Sequence, residues 1–291
     1  MRLAGYAGGF ALVAGLVLGS AGFGTRARPA VAPPPEAPRA EASLASPPDA
    51  QPGDPPAPAP EAAPVPAEQE RTSRRRRYER NRYPGPIPTP AEWQPPEGPV
   101  RIALQAGHWR ADEAPPELSG LRDNGTRWAG MAEWEANLAI ARRAGALLEE
   151  AGYLVDILPA VVPPDYRAHL FISIHADGSN DSGATGYRVA APRRDATGRA
   201  VGFVELLERR YGEATGLPRI PTVTRRMQGY YAFNYRRYEH ALHPMTIAVI
   251  IETGFLTSPG DRRVIVDDPG RAARGIVDAV RAFPVTAVTE R

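Results

Sequence analysis

The 291-residue chain contains no cysteine and no lysine. Without cysteine it can form no disulfide, and it offers neither a thiolate nucleophile nor a thiolate metal ligand. Any metal site must therefore use histidine, aspartate or glutamate. All 35 basic residues are arginine, which with 33 acidic residues gives a formal net charge of +2 and a sequence pI of about 9.0. We attribute this use of arginine to a coding bias rather than to a guanidinium-specific function.

Proline is unevenly distributed, with 21 of the 33 prolines lying before residue 100. A segment of this composition cannot bury a core, so residues 28–99 are predicted to be a disordered Pro/Ala/Arg-rich linker with polyproline II character. Its last part, residues 83–99, is expected to wrap onto the domain that follows. We predict one catalytic domain of ordinary size at 100–285 and a C-terminal tail at 286–291.

The N-terminus holds the only long apolar run. Leu3–Phe23 has no charged residue and follows Arg2, and about 20 apolar residues are enough to cross a bilayer. Residues 1–27 are therefore predicted to be either a cleaved signal peptide or an uncleaved membrane anchor. Both alternatives export the rest of the chain to the periplasm or cell wall, and the anchor would also tether it to the cytoplasmic membrane.

A basic run closes the linker. Arg71–Arg82 contains seven arginines, a pattern that can bind an anionic membrane or wall polymer, or can simply form a solvated basic hinge. Nucleic acid is not expected as a partner outside the cytoplasm. The sequence does not decide the oligomeric state.

Beyond residue 100, apolar runs of strand length alternate with segments of helical periodicity. This alternation predicts an α/β fold, a single domain with a mostly parallel twisted sheet flanked by helices. The predicted strands are 100–104, 153–158, 171–174, 186–191 and 246–251, and the predicted helices are 133–151, 197–215 and 269–283.

Three predicted strands lead into a residue that can bind a metal or move a proton. His108 follows the first strand, His175 follows the third and Glu252 follows the last, while Glu133 opens the first helix. Since ligands bind outside the carboxyl ends of parallel strands, we expect these four side chains at one edge of the sheet. Two histidines and one carboxylate form a common catalytic zinc shell, and the remaining carboxylate can act as a base.

Four short motifs carry a resemblance to a known family. They are QAGH at 105–108, EWEANL at 133–138, SIHA at 173–176 and ETGFL at 252–256. In this order the chain from Val100 to Phe283 resembles the zinc-dependent N-acetylmuramoyl-L-alanine amidases of the Amidase_3 family. The resemblance implies that His108, Glu133 and His175 bind zinc and that Glu252 is the catalytic base.

The second motif offers two glutamates. Glu133 is preferred over Glu135 because it stands four residues before Asn137, as the ligand of the family does. Glu135 lies about 200° further round the helix, so both side chains cannot face one metal ion.

The family's activity implies a cell-wall hydrolase that cleaves the amide bond between N-acetylmuramic acid and L-alanine in peptidoglycan. The alternatives are a zinc peptidase that acts within the stem peptides and a non-catalytic wall-binding or regulatory module. The chain departs from the family's Asp-x-Gly-His-Gly-Gly pattern at Gln105, Trp109 and Arg110, which leaves the substrate contacts open.

Histidines and tryptophans elsewhere in the sequence offer further candidate side chains. His169 is expected to be structural because it precedes the strand, and His240 and His243 are expected to lie in a solvated loop. Three tryptophans near the site in sequence can stack on substrate or pack in the core: Trp109, Trp128 and Trp134.

The loop at 217–244 is aromatic and basic. Because arginine pairs with carboxylates bidentately, the loop can clamp peptide carboxylates, or its side chains can pack on the surface. The residues concerned are Tyr230, Tyr231, Tyr235, Tyr238, Arg225, Arg226, Arg236 and Arg237.

Overall fold

The computed structural model describes residues 86–122 and 125–286, all within one compact unit. The predicted export segment, the arginine-rich run and residues 287–291 lie outside the described residues. Among the described residues, no helix is both long enough and apolar enough to cross a bilayer. The predicted domain boundaries stay predictions.

The described residues form seven strands and five α-helices. The strands are β1 (Arg101–Ala106), β2 (Arg127–Trp128), β3 (Met131–Ala132), β4 (Leu154–Leu158), β5 (Leu170–Asp177), β6 (Arg188–Ala190) and β7 (Ile247–Phe255). The helices are α1 (Glu133–Glu150), α2 (Ala200–Thr215), α3 (Arg225–Gln228), α4 (Pro259–Ile265) and α5 (Pro269–Ala282). Short 3-10 turns lie at Ala111–Glu113, Pro116–Leu121 and Tyr231–Phe233.

Five strands form one sheet in the order β4-β1-β5-β7-β6. All neighbours are parallel except β6, which runs antiparallel to β7 at the edge. The predicted α/β fold with a mostly parallel sheet is confirmed, and the antiparallel edge strand was not foreseen. Strands β2 and β3 pair separately as a small antiparallel hairpin just before α1.

Side chains of the central strands alternate between two apolar layers, as the two-residue period of a strand requires. On one face, Ile172 and Ile174 pack with the long helices α1, α2 and α5. On the other face, Phe171 and Ile250 pack against side chains of the 217–244 loop. Each fully buried side chain of this size contributes about 1.5–3 kcal/mol, and together they fix the strands whose ends carry the site.

The two central strands are longer than their apolar runs predicted. His175 lies within β5 and Glu252 within β7, and the two residues are register partners. The prediction placed both residues just beyond their strands, which was wrong because inter-strand pairing, not hydrophobicity, decides where these strands end. The pairing also fixes the two backbones beside each other at the edge where the site lies.

Helix boundaries follow local capping. Gly152 ends α1 with a φ of 88°, and Tyr153 N donates to Leu148 O at 3.1 Å, as predicted for a C-terminal glycine. Helix α2 begins three residues later than its periodicity predicted, because Asp195 Oδ2 accepts a hydrogen bond from Ala200 N at 2.8 Å. Capping therefore sets a boundary that apolar spacing cannot locate.

Candidate metal centre and catalytic cavity

His108 occupies a strained backbone position directly after β1. Its φ of 62° lies in the left-handed region, which few non-glycine residues adopt. Gly107 N donates to Ile174 O at 2.9 Å, and Trp109 N donates to Ala106 O at 3.2 Å, so hydrogen bonds on both sides hold the turn. Strain of this kind persists only where the surroundings enforce it, and it is concentrated at functional sites.

Gly107 allows the two histidines to approach each other. A Cβ atom at this position would lie 2.4–2.5 Å from three ring atoms of His175. Only a residue without a side chain fits here, so the imidazole of His175 passes directly over the backbone that positions His108.

Glu133 is the first residue of α1, and its carboxylate is buried and surrounded by donors. Oε2 accepts from Thr126 N at 2.8 Å, and Oε1 accepts from Ala176 N at 3.1 Å and from Asn137 Nδ2 at 3.2 Å. Glu135 turns away and accepts from Ala132 N at 3.0 Å. The structure thus separates the two glutamates as helical geometry predicted.

His108, Glu133 and His175 converge from a turn, a helix and a strand. Glu133 Oε1 lies 3.1 Å from His175 Nδ1 and 3.5 Å from His108 Nε2. Each of the three side chains offers one possible ligand atom within 4.8 Å of those of the other two. Of the residues at 86–122 and 125–286, no other set of three such side chains is grouped closely enough to hold a metal ion.

This donor set fits a zinc ion. Ligand atoms about 2.1 Å from a tetrahedral zinc lie about 3.4 Å from one another, close to the 3.5 Å between Glu133 Oε1 and His108 Nε2. His175 Nε2 is buried without a hydrogen-bond partner, which is costly for a polar atom unless a ligand satisfies it. Two histidines and a carboxylate are also the nitrogen and oxygen donors that zinc prefers.

Glu252 lies beside this cluster without belonging to it. It is the register partner of His175 on β5 and of Arg188 on β6. Together with the three clustered side chains it lines a cavity of about 520 Å³. Among the described residues, no hydrogen bond reaches the Glu252 carboxylate, so this carboxylate is available to a group in the cavity.

The two buried carboxylates have opposite pKa shifts. Burial alone would raise the pKa of Glu133, but the hydrogen bond and charge of His175, with His108 and Thr126 N, lower it to about 2. Burial raises the pKa of Glu252 to about 7, where Glu133 adds to the effect and His175 and Arg188 oppose it. Glu133 is thus held ionised, whereas Glu252 can gain or lose a proton near neutrality.

The histidine rings are also shifted in opposite directions. Burial favours the neutral ring of His175, but its hydrogen bond to Glu133 and the charges of Glu133 and Glu252 outweigh this and raise its pKa. Burial lowers the pKa of His108, an effect that Glu133 only partly offsets. His108 therefore presents a neutral imidazole, the form that binds a metal ion.

A hydrogen-bond network beneath the cavity was not predicted from the sequence. Gln105 is fully buried, and its Oε1 accepts from Ser173 Oγ at 2.8 Å and from Tyr230 Oη at 2.9 Å. Its Nε2 donates to Tyr231 Oη and to Ala160 O, both at 3.0 Å. The departure from the family pattern at Gln105 therefore joins β1 to the 217–244 loop rather than contacting substrate.

The other two departures also lie outside the cavity lining. Trp109 packs against the apolar layer between the sheet and the long helices, and Arg110 forms an ion pair with Glu113 at 2.6 Å on the surface. The sequence left open whether Trp109 and Arg110 contact substrate. Neither side chain lines the cavity.

The remaining histidines lie away from the cavity. His169 Nδ1 accepts from Arg101 N at 3.0 Å, and His240 Nδ1 lies 2.9 Å from Val162 O. The prediction that His243 is solvated was wrong, because its side chain is buried. It stacks on Trp93 with ring centroids 4.3 Å apart. Burial, with the charge of Arg167, lowers the pKa of His243 to about 4.

The three tryptophans differ in exposure. Trp109 and Trp134 pack against the apolar layer between the sheet and the long helices, whereas Trp128 is 43% exposed on the hairpin before α1. The guanidinium of Arg262 lies 5.5 Å from the ring centre of Trp128. Trp128 is thus the most exposed of the three, but none of them lines the cavity.

Comparison with known proteins identifies one matching family. The family model described as N-acetylmuramoyl-L-alanine amidase, Amidase_3, matches residues 161–282. The match includes His175 and Glu252 but begins after His108 and Glu133. It confirms the resemblance predicted from the four motifs and the predicted enzyme class. Comparison with curated proteins gives no match.

Several solved structures are similar to the domain at low identity. They include the catalytic domain of CwlV, an amidase from Bacillus (Paenibacillus) polymyxa var. colistinus, at 21% identity and TM-score 0.41, covering 62% of this chain and 96% of that one. The apo form of Ami1 from Mycobacterium abscessus has 17% identity and TM-score 0.46, covering 63% and 97%. An amidase from Clostridium difficile 630 has 17% identity and TM-score 0.45, covering 63% and 96%. Similarity this low does not transfer residue roles to this chain.

Proposed function

Since residues 161–282 belong to the Amidase_3 family of N-acetylmuramoyl-L-alanine amidases, we propose that the protein hydrolyses the amide bond between N-acetylmuramic acid and L-alanine in peptidoglycan. The reaction is zinc-dependent. The observation that carries this proposal is the convergence of His108, Glu133 and His175 beside Glu252 in one cavity.

His108, Glu133 and His175 are the residues that would hold the zinc ion. Bound by such a set, zinc supplies Lewis-acid chemistry, polarising a carbonyl group and making water a nucleophile near neutral pH. Thr126 N, Asn137 and Ala176 N orient the Glu133 carboxylate. These contacts keep the carboxylate in place before substrate enters.

Glu252 is the proton-transferring group. Its carboxylate lines the cavity, lies outside the His108–Glu133–His175 set and receives no hydrogen bond from the described residues. It takes a proton from the water that attacks the carbonyl carbon and delivers it to the departing nitrogen of L-alanine. One group thus acts first as base and then as acid.

A peptidoglycan substrate places the enzyme outside the cytoplasm, in the periplasm or cell wall. Residues 1–27 would direct export, either as a cleaved signal or as an anchor, and Arg71–Arg82 would contact an anionic membrane or wall polymer. N-terminal sequencing of the exported protein distinguishes the two alternatives, because a cleaved signal gives a new N-terminus near residue 27.

The activity is tested by digesting purified peptidoglycan with the zinc-loaded protein and identifying the products by mass spectrometry. Stem peptides with a free N-terminal L-alanine are the expected products. Fragments cut only within the peptide would instead indicate a stem-peptide peptidase, and binding without cleavage would indicate a wall-binding module. Either result contradicts the proposal, as does wild-type protein that binds no zinc.

A further inference from the structure

Two arginines line the cavity, and they differ in whether they are paired. Arg188 forms an ion pair with Asp177, so its charge is largely compensated. Arg226 lies on the cavity wall exposed to solvent, and no carboxylate among residues 86–122 and 125–286 pairs with it. The cavity therefore contains one guanidinium that is free to bind a ligand.

The backbone that carries Arg226 is firmly held. The next residue, Met227, is 4% exposed and packs with Phe171 and Ile250 on the sheet face opposite the long helices. Its N donates to Thr224 Oγ1 at 3.2 Å. Three residues further on, Tyr230 Oη donates to Gln105 below the sheet edge. When a ligand binds Arg226, only the arginine side chain has to become ordered, because the loop backbone is already fixed. This lowers the entropic cost of binding.

The other arginines of the 217–244 loop are placed differently. The guanidinium of Arg236 lies over the ring of Tyr235, and that of Arg237 lies over the ring of Tyr238, at 5.7 and 4.9 Å from the ring centres. Arg225 is exposed but does not line the cavity. Of the four loop arginines proposed from the sequence as a carboxylate clamp, Arg226 alone is in position.

The charges of the cavity restrict where an acidic ligand can bind. Outside the proposed zinc ligands, the carboxylates of the cavity wall are Asp177 and Glu252, and like charges in a partly enclosed cavity repel each other. A carboxylate is favoured only where a cation is unpaired, and a guanidinium matches a carboxylate with two parallel hydrogen bonds.

We propose that Arg226 binds a free carboxylate of the stem peptide, so that the enzyme prefers stem peptides with that carboxylate over those in which it is amidated. This proposal rests on the proposed function and adds a specificity-determining contact on the peptide side of the cleaved bond. Arg226 acts on ground-state and transition-state binding alike, since it touches no reacting atom.

The test uses two muramoyl tripeptides that are identical except that the glutamyl α-carboxyl group is free in one and a carboxamide in the other. Zinc-loaded wild-type protein should hydrolyse the free acid with a kcat/KM about tenfold higher, as one charge-assisted contact provides. Arg226→Ala should lose this preference, Arg226→Lys should keep part of it, and Arg225→Ala, the matched control, should keep all of it.

Binding of the released tripeptides, measured by calorimetry, separates this inference from the proposed function. The wild type should bind the free acid about tenfold more tightly than the carboxamide, and Arg226→Ala should bind both alike. Equal binding, no binding, or a preference that survives in Arg226→Ala overturns the inference. Carboxylate-dependent binding through Arg226 without hydrolysis of either substrate would keep the inference and overturn the proposed function.

Discussion

Two segments of the domain supply the candidate site, and they differ in how their carboxylates are held. The leading segment, residues 101–160, provides His108 and Glu133, and the matched segment, residues 161–282, provides His175 and Glu252. Backbone and side-chain donors surround the Glu133 carboxylate, whereas none of the described residues donates to Glu252. The leading segment thus holds a fixed anion, and the matched segment presents a carboxylate that can exchange a proton.

The candidate site extends beyond the residues that the family model matches. Glu133 lies outside the matched residues, yet Ala176 N, from the matched segment, donates to its Oε1 at 3.1 Å. His175, on the matched side, passes over Gly107 of the leading segment. Each segment therefore completes the other, and variants in the two segments should fail in different ways.

The largest effect is expected for Glu133→Gln in the leading segment. The substitution keeps the shape of the side chain but removes the negative charge that zinc requires of an oxygen ligand. Both bound zinc, measured by elemental analysis, and muropeptide release should fall to background. Glu135→Gln is the matched control and should leave both quantities unchanged, because within the described part of the chain the Glu135 side chain accepts a hydrogen bond only from Ala132 N. Full zinc content in Glu133→Gln would remove Glu133 from the ligand set.

Glu252→Gln in the matched segment should separate activity from metal binding. Zinc content and wall binding should stay close to wild type, because Glu252 lies outside the ligand cluster. Hydrolysis of muropeptides should fall by about 10²–10⁴-fold, the range for removal of a general acid–base group. A fully active variant would show that another group moves the proton, and a variant without zinc would make Glu252 a ligand and end the contrast between the segments.

Much of this arrangement could be predicted because it depends on local patterns. Apolar runs located the central strands, and their order with the helices gave the α/β fold. Four motifs identified His108, Glu133, His175 and Glu252 as a group, and the structure brings all four to one cavity.

What could not be predicted depends on contacts between residues distant in sequence. Tyr230 meets Gln105 across 125 positions, and Thr126 N reaches Glu133 only because the hairpin before α1 folds back. The antiparallel direction of β6 depends on the path of the chain after β5, which no periodicity records. The left-handed backbone conformation of His108 could not be predicted either, because the residue type histidine does not indicate it.

Gly107→Ala tests whether the segments must approach as closely as the structure shows. A new Cβ would lie 2.4–2.5 Å from three ring atoms of His175, so the imidazole or the backbone at Gly107 must shift. Overpacking of this kind costs about 1–3 kcal/mol of unfolding free energy, and zinc affinity, measured by competition with a chelator, should fall. Gly120→Ala is the control, because its Cβ meets nothing within 4 Å. Unchanged zinc affinity in Gly107→Ala would mean that the two segments do not need this contact.

The smallest effect is expected for Tyr230→Phe, which removes one hydrogen bond that joins the two segments. Gln105 Oε1 keeps its bond from Ser173 Oγ, so no buried acceptor is left without a partner. Urea unfolding should show a loss of about 1 kcal/mol at constant m, with activity within a few-fold of wild type. Tyr238→Phe, whose hydroxyl has no hydrogen bond among the described residues, should change neither. An activity loss as large as that of Glu252→Gln would place the Tyr230 hydroxyl on the reacting groups rather than beneath them, because a lost structural bond of this size cannot slow the chemistry a hundredfold.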